Sequence, residues 1–206
     1  MKTSVSIFKD TKKLVFISIL VALGALFMLI EIPYPLVPFL KFDLSELVVL
    51  LTAELFGFIP AVIVSVFKIL VHVSINGITT PYAIGQITSV IAAITIAALY
   101  LITKKVIKPK TVKAIFLRSF IVMIGFSIIL TICNYLFITP VYFGEFWYTN
   151  LKDTLTLSNF IPWATADIGY GAIIAVVYLP FNAIKGVFIL TIYELINKRI
   201  NKSINI

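Results

Sequence analysis

The sequence predicts an all-α integral membrane protein, a six-transmembrane-helix bundle with both termini cytoplasmic, and three observations carry that reading. Hydrophobic residues make up 61% of the chain and charged residues only 13%, whereas soluble domains carry charge on about a quarter of their residues. The apolar residues gather into runs close to the roughly 20 residues a helix needs to cross a bilayer, and mean hydropathy is +1.10. The lysines and arginines fall mainly between alternate runs, the signature of loops kept in the cytoplasm. At 206 residues, the chain is expected to form a single membrane domain, with no space for a soluble catalytic or nucleotide-binding domain beside it.

The expected spans are 14–32, 44–59, 61–76, 82–103, 114–139 and a last one ending at 197 that starts at either 168 or 178. The first follows Lys2, Lys9, Lys12 and Lys13 and so resembles a signal peptide, but its apolar run is too long and ends in Glu31-Ile32-Pro33-Tyr34-Pro35 without a small-residue cleavage site. It is read as a retained span. The second and third are short and are separated only by Gly57-Phe58-Ile59-Pro60, which suggests a tight helical hairpin. In the last run, Pro180 fits the first turn of a helix, so the regular part is expected to start near it, with 164–177 as a separate outer element.

With the N-terminus inside, the cytoplasmic groups are Lys2, Lys9, Lys12 and Lys13; then Lys104, Lys105, Lys108, Lys110, Lys113 and Arg118; then Lys198, Arg199 and Lys202. The outer loops hold Lys41 and Lys152, most of the prolines and both tryptophans. Trp147, Tyr148 and Trp163 suit an interfacial aromatic belt. The long connection over 141–163 also suits a lid over an outward-facing pocket.

Polar groups inside apolar spans need a partner, because a charge at the bilayer centre costs roughly 2.5 to 3.5 kcal/mol on insertion scales. Asn182 and Lys185 share one face of the last helix at spacing i, i+3. Lys185 could simply pair with a carboxylate such as Glu54. Asn134 offers a donor and an acceptor to an imide edge, or a hydrogen bond between helices. Lys68, His72 and Asn76 form a polar stripe on the third helix, where a single histidine excludes a His-pair metal site. Asp43 and Glu46 read as a capping-box variant opening the second helix, with Lys41 snorkelling or meeting an anionic ligand. The lone Cys133 excludes an intrachain disulfide. Ser18 with Ala22, and Ala61 with Ser65, are small-residue pairs that let helices approach closely.

Several of these features together resemble a known family. They are Asp43-Leu44-Ser45-Glu46, Phe67-Lys68, Tyr82-Ala83-Ile84-Gly85-Gln86, Asn134-Tyr135 and, most specifically, Pro180-Phe181-Asn182-Ala183-Ile184-Lys185-Gly186. In order and over nearly the whole chain they are similar to the riboflavin-specific substrate-binding (S) subunit of energy-coupling factor (ECF) transporters. The resemblance implies a vitamin-binding protein of the bacterial cell membrane that takes riboflavin as its transported ligand and carries no cofactor, no metal and no catalytic residue. Flavin mononucleotide is a second candidate ligand. Partners would be a membrane coupling subunit, two cytoplasmic ATPase subunits and the lipid bilayer, with no nucleic acid. Asn134, Asn182 and Lys185 would contact flavin, and Lys68, Gln86 and Asp43, from the other matching motifs, complete the candidate ligand-binding set. Ser18 and Ala22 would meet the coupling subunit, although Ser18 stands where the family has alanine. No phosphate-binding Gly-x-x-x-x-Gly-Lys-Ser/Thr loop occurs, so ATP hydrolysis would reside in partners. Two alternatives stay open: the same scaffold specific for another vitamin such as folate or pantothenate, and a membrane-embedded enzyme.

Overall fold

The computed structural model describes residues 10–108, 111–144 and 154–204. Lys2, Lys9, Lys110, Trp147, Tyr148 and Lys152 lie outside the described residues, and of Lys198, Arg199 and Lys202 only the helical backbone is described. Helix α1 (Thr11–Leu29) starts at Asp10, whose carboxylate accepts from the amides of Lys12 and Lys13, satisfying donors that a helix start leaves orphaned. Where a loop was expected next, the chain forms an antiparallel hairpin, β1 (Ile32–Tyr34) and β2 (Val37–Phe42), with Tyr34 opposite Val37 across the turn. The fold is therefore mostly helical rather than all-α.

Helices α2 (Ser45–Phe56) and α3 (Phe58–Asn76) follow, joined at Gly57, whose φ of 92° belongs to the region that glycine tolerates best. Then come α4 (Ile84–Val106), α5 (Val112–Cys133), the short α6 (Thr139–Tyr142) and α7 (Tyr170–Ile204). Among the described residues, five helical segments are long and apolar enough to cross a membrane: Thr11–Leu29, Phe58–Asn76, Pro81–Val106, Val112–Tyr142 and Tyr170–Asn197. Helix α2, at 12 residues, is not among them. It is about 18 Å long and packs against α1, α3, α4 and α7. Ser45 through Leu50, with Thr52 and Ala53, are all buried. A helix whose flanks are protein rather than lipid has no need to match the bilayer thickness.

Helix α7 agrees with the earlier of the two expected starts, near 168, and departs from a start at Pro180. It runs unbroken from Tyr170, so Pro180 lies inside it and does not open it. Proline removes one backbone donor and crowds the preceding turn. At the same turn, Ser127 Oγ donates to the Leu179 carbonyl at 2.7 Å and ties α5 to α7. The outer element expected over 164–177 is accordingly α7 itself from Tyr170 onward.

Among the described residues, three apolar clusters fill the bundle. One joins the hairpin residues Tyr34 and Val37 to Leu155, Leu157 and Phe160 and to the first turns of α7, capping one end. A second, of Leu50, Ile96, Tyr100, Phe126 and Tyr193, fills the other end between α2, α4, α5 and α7. The third packs α1 against α2, α3 and α4. Two ion pairs belong to the end away from the hairpin. Lys104 pairs with Glu54, so Glu54 is not the partner of Lys185. Arg118, 1% exposed, pairs with Glu194 at 2.5 Å and lies over the Tyr100 ring at 4.5 Å.

Candidate functional site

Beneath the hairpin lies a cavity of about 270 Å³. A larger one of about 830 Å³ opens between α5 and α7 near Phe116, Phe120 and Leu195, but it is almost wholly apolar. Ligand sites pair apolar walls with a few convergent polar groups, and the smaller cavity has that composition. Asp43, Gln86, Asn134, Asn182 and Lys185 all line it. Lys68 does not. It is fully buried behind the cavity, where its ammonium donates to Ser45 Oγ and to Ser89 Oγ, the latter at 3.1 Å. Ser18 and Ala22 do not line the cavity and lie on the exposed flank of α1, and Ser18 Oγ donates to the Leu14 carbonyl at 3.0 Å. Ala61 and Ser65 are buried and serve internal packing.

Lys185 has carboxylate partners, supplied by the start of α2: Glu46 Oε1 at 2.6 Å and Asp43 Oδ2 at 3.6 Å. The capping-box reading of Glu46 is thereby corrected. Leu44 caps α2 without a side-chain bond, while Asp43 Oδ1 accepts from the Ser45 amide at 2.9 Å. Glu46, fully buried, turns across the bundle to α7 because Lys185 offers it a charge where water cannot reach. Asp43 precedes α2 and lies outside the spanning helices. Burial works against its charge, but the ammonium groups of Lys185 and Lys68, with the Ser45 bond, outweigh that penalty and hold its pKa at about 2.

The amides are set by local backbone. Asn134 opens a π-helical turn (Asn134–Ile138), in which the Thr139 amide reaches back to the Asn134 carbonyl. Such turns widen a helix and are frequent at functional sites. Asn134 Nδ2 donates to the Leu130 carbonyl at 2.8 Å, and the Thr139 hydroxyl lies 3.4 Å from Asn134 Oδ1 and 3.0 Å from the Tyr178 hydroxyl. Asn182 Nδ2 has a long contact of 3.5 Å to Thr131 Oγ1, at the limit of a hydrogen bond. With its oxygen towards Thr79, the Gln86 amide accepts from the Thr79 amide and hydroxyl and donates to Thr80 Oγ1 and the Ala83 carbonyl, over 3.0 to 3.3 Å. Gly85 permits this, since a Cβ there would lie 3.0 Å from Thr80 Cγ2.

Side chains outside the candidate set complete the walls. Phe39 stacks on Tyr142 at 5.1 Å and 23°, and Phe181 packs on Phe42 at 4.8 Å. Phe39, Tyr142, Tyr178 and Phe181 all face the cavity, and Lys41, paired with Glu31, sits on its rim. His72 also lines it, with Nε2 against Asn76 at 3.3 Å and Nδ1 without a partner among the described residues. The sequence signal for His72 is its i, i+4 spacing from Lys68; the aromatic walls carry no signal that separates them from core.

A multi-pass helical bundle with a polar and aromatic cavity near one end defines a membrane protein built to hold a small molecule. The family model for the substrate-specific component of ECF transporters matches residues 12–197, and the chain belongs to that family. It is 27% identical over 188 residues to the riboflavin transporter FmnP of Bacillus subtilis (strain 168), covering 90% of each chain. To the riboflavin transporter RibU of Staphylococcus aureus (strain TCH60) it is 26% identical over 195 residues, covering 93% of this chain and 92% of that protein. A solved structure of the S component of a bacterial ECF transporter superposes with a TM-score of 0.70 at 23% identity, covering 94% of this chain and 98% of that one. That likeness shows the fold.

Proposed function

We propose that this chain is the riboflavin-binding membrane subunit of an ECF vitamin transporter, capturing riboflavin from the outside and passing it across with an ATP-driven coupling module. The observation that carries this reading is the convergence of Asn134, Asn182, Lys185 and Gln86 on one aromatic-walled cavity in a chain whose curated relatives are riboflavin transporters. The isoalloxazine ring is a flat apolar tricycle with an imide edge. Phe39, Tyr142, Tyr178 and Phe181 suit its faces, and the asparagine amides suit the imide or the ribityl hydroxyls. Lys185, held by Glu46 and Asp43, keeps an ammonium donor fixed at the cavity wall. No covalent step is involved.

The hairpin and the segment near Phe160 cover the outward mouth, so opening there would admit the ligand and closing would exclude water. The positive residues at both ends, with Lys104, Lys105 and Lys113, support a cytoplasmic side for both termini. In that arrangement α2 completes six membrane elements and the cavity faces outward. The exposed flank of α1 carrying Ser18 and Ala22 would meet the coupling subunit, and partner subunits would hydrolyse ATP. Protein purified from riboflavin-containing medium is expected to be yellow and to release flavin on denaturation. Preparations that are colourless and release no flavin under those conditions contradict the proposal.

A further inference from the structure

We propose that Glu46, which does not itself line the cavity, sets the ligand charge the cavity accepts by neutralising Lys185, so that an uncharged ligand is favoured over an anionic one. The inference rests on the riboflavin reading above. Among the described residues, Lys185 and Lys41 are the lysines that line the cavity, and each already faces a carboxylate, Lys41 at the rim with Glu31 and Lys185 at the floor with Glu46 and Asp43. Lys68 stands behind the floor on the hydroxyls of Ser45 and Ser89. The floor thus holds Lys68 and Lys185 against Asp43 and Glu46, and its formal charges cancel. A phosphate or carboxylate entering would have to displace Glu46 from Lys185 or remain without a counter-charge in a site of low dielectric.

Glu46, like Lys68, can be altered without removing a group from the cavity wall. It is fully buried, bonds Lys185 through Oε1, and its Oε2 has no partner among the described residues. Glutamine in its place keeps an oxygen for the Lys185 ammonium while deleting the negative charge. At an effective dielectric of about 20, one unit charge acting over about 10 Å changes an affinity by roughly tenfold.

Dissociation constants of the full-length protein in detergent for riboflavin and for flavin mononucleotide, measured by flavin fluorescence quenching, test this. Wild type is expected to prefer riboflavin. In Glu46→Gln the ratio of the two constants should move towards flavin mononucleotide by roughly tenfold, while Glu46→Asp should keep the wild-type ratio. Lys68→Gln, which leaves the floor net negative, should move the ratio the opposite way, and it decides the matter if Glu46→Gln does not fold. The double variant Glu46→Gln/Lys68→Gln should return the ratio towards wild type. Ratios unchanged in both single variants, with riboflavin still bound, overturn the role of Glu46. Wild type that binds no riboflavin overturns the functional reading instead.

Discussion

Lys185 stabilises the bundle and presents a donor to the cavity at once, and its substitution separates those roles from those of Asn182. Removing one partner of a buried pair leaves the other uncompensated, at a cost of about 3–5 kcal/mol. Lys185→Leu strands Glu46 and Asp43 and is expected to lower both the unfolding midpoint in detergent and the affinity for riboflavin. Asn182→Leu removes only a long contact to Thr131, so it should weaken binding with a much smaller change in the midpoint. Equal losses of stability in the two variants would contradict this division. Asp43 adds a pH statement. Its carboxyl is held at about 2, below the ordinary value near 4, so its contribution is complete above that ordinary value and is lost as pH falls through 2. Titrations between pH 5 and 8 should therefore show no dependence on Asp43.

At the scale of elements, backbone irregularity positions the polar groups. Tyr82 and Ala83 hold φ of 50° and 55° just before α4, and Gly85 lets Thr80 fold back to accept its amide at 2.9 Å. Gly85→Ala would press a Cβ onto Thr80, with an overpacking cost of about 1–3 kcal/mol. Both the Gln86 arrangement and ligand affinity should suffer, read by thermal unfolding and by titration. Arg118→Met, at the other end, should destabilise by about 3–5 kcal/mol by leaving Glu194 unpaired, while leaving the riboflavin constant unchanged.

The same elements show what the residues alone reveal. Long apolar runs announce α1, α3, α4 and α5, because a span is specified by local composition. Asn134, Asn182 and Lys185 stand out because polarity in a span is costly wherever its partner lies. Glu46 reads as a cap because Ser45-Glu46 after Asp43 imitates one locally, whereas its partner Lys185 is a long-range contact. The shortness of α2 is legible in its run, which ends at Gly57, whereas the passage of α7 through Pro180 depends on neighbouring helices, which local pattern does not encode.

At the scale of the molecule, the proposed function puts ligand capture and coupling on different surfaces. The cavity lies under the hairpin, and Ser18 and Ala22 lie on the exposed flank of α1. Replacing Ala22 by Trp is expected to leave riboflavin binding by the isolated protein intact and to abolish uptake in cells that supply the coupling module. Loss of binding in that variant would place the flank within the ligand site. The central claim, that the cavity takes riboflavin, is tested most directly by titrating ligand-free protein with riboflavin and following quenching of flavin fluorescence, with folate and pantothenate as competitors. The account predicts saturable quenching at or below micromolar concentration, undiminished by either competitor and weakened in Asn182→Leu. Absence of quenching at micromolar concentration, or its reversal by folate or pantothenate, would contradict it.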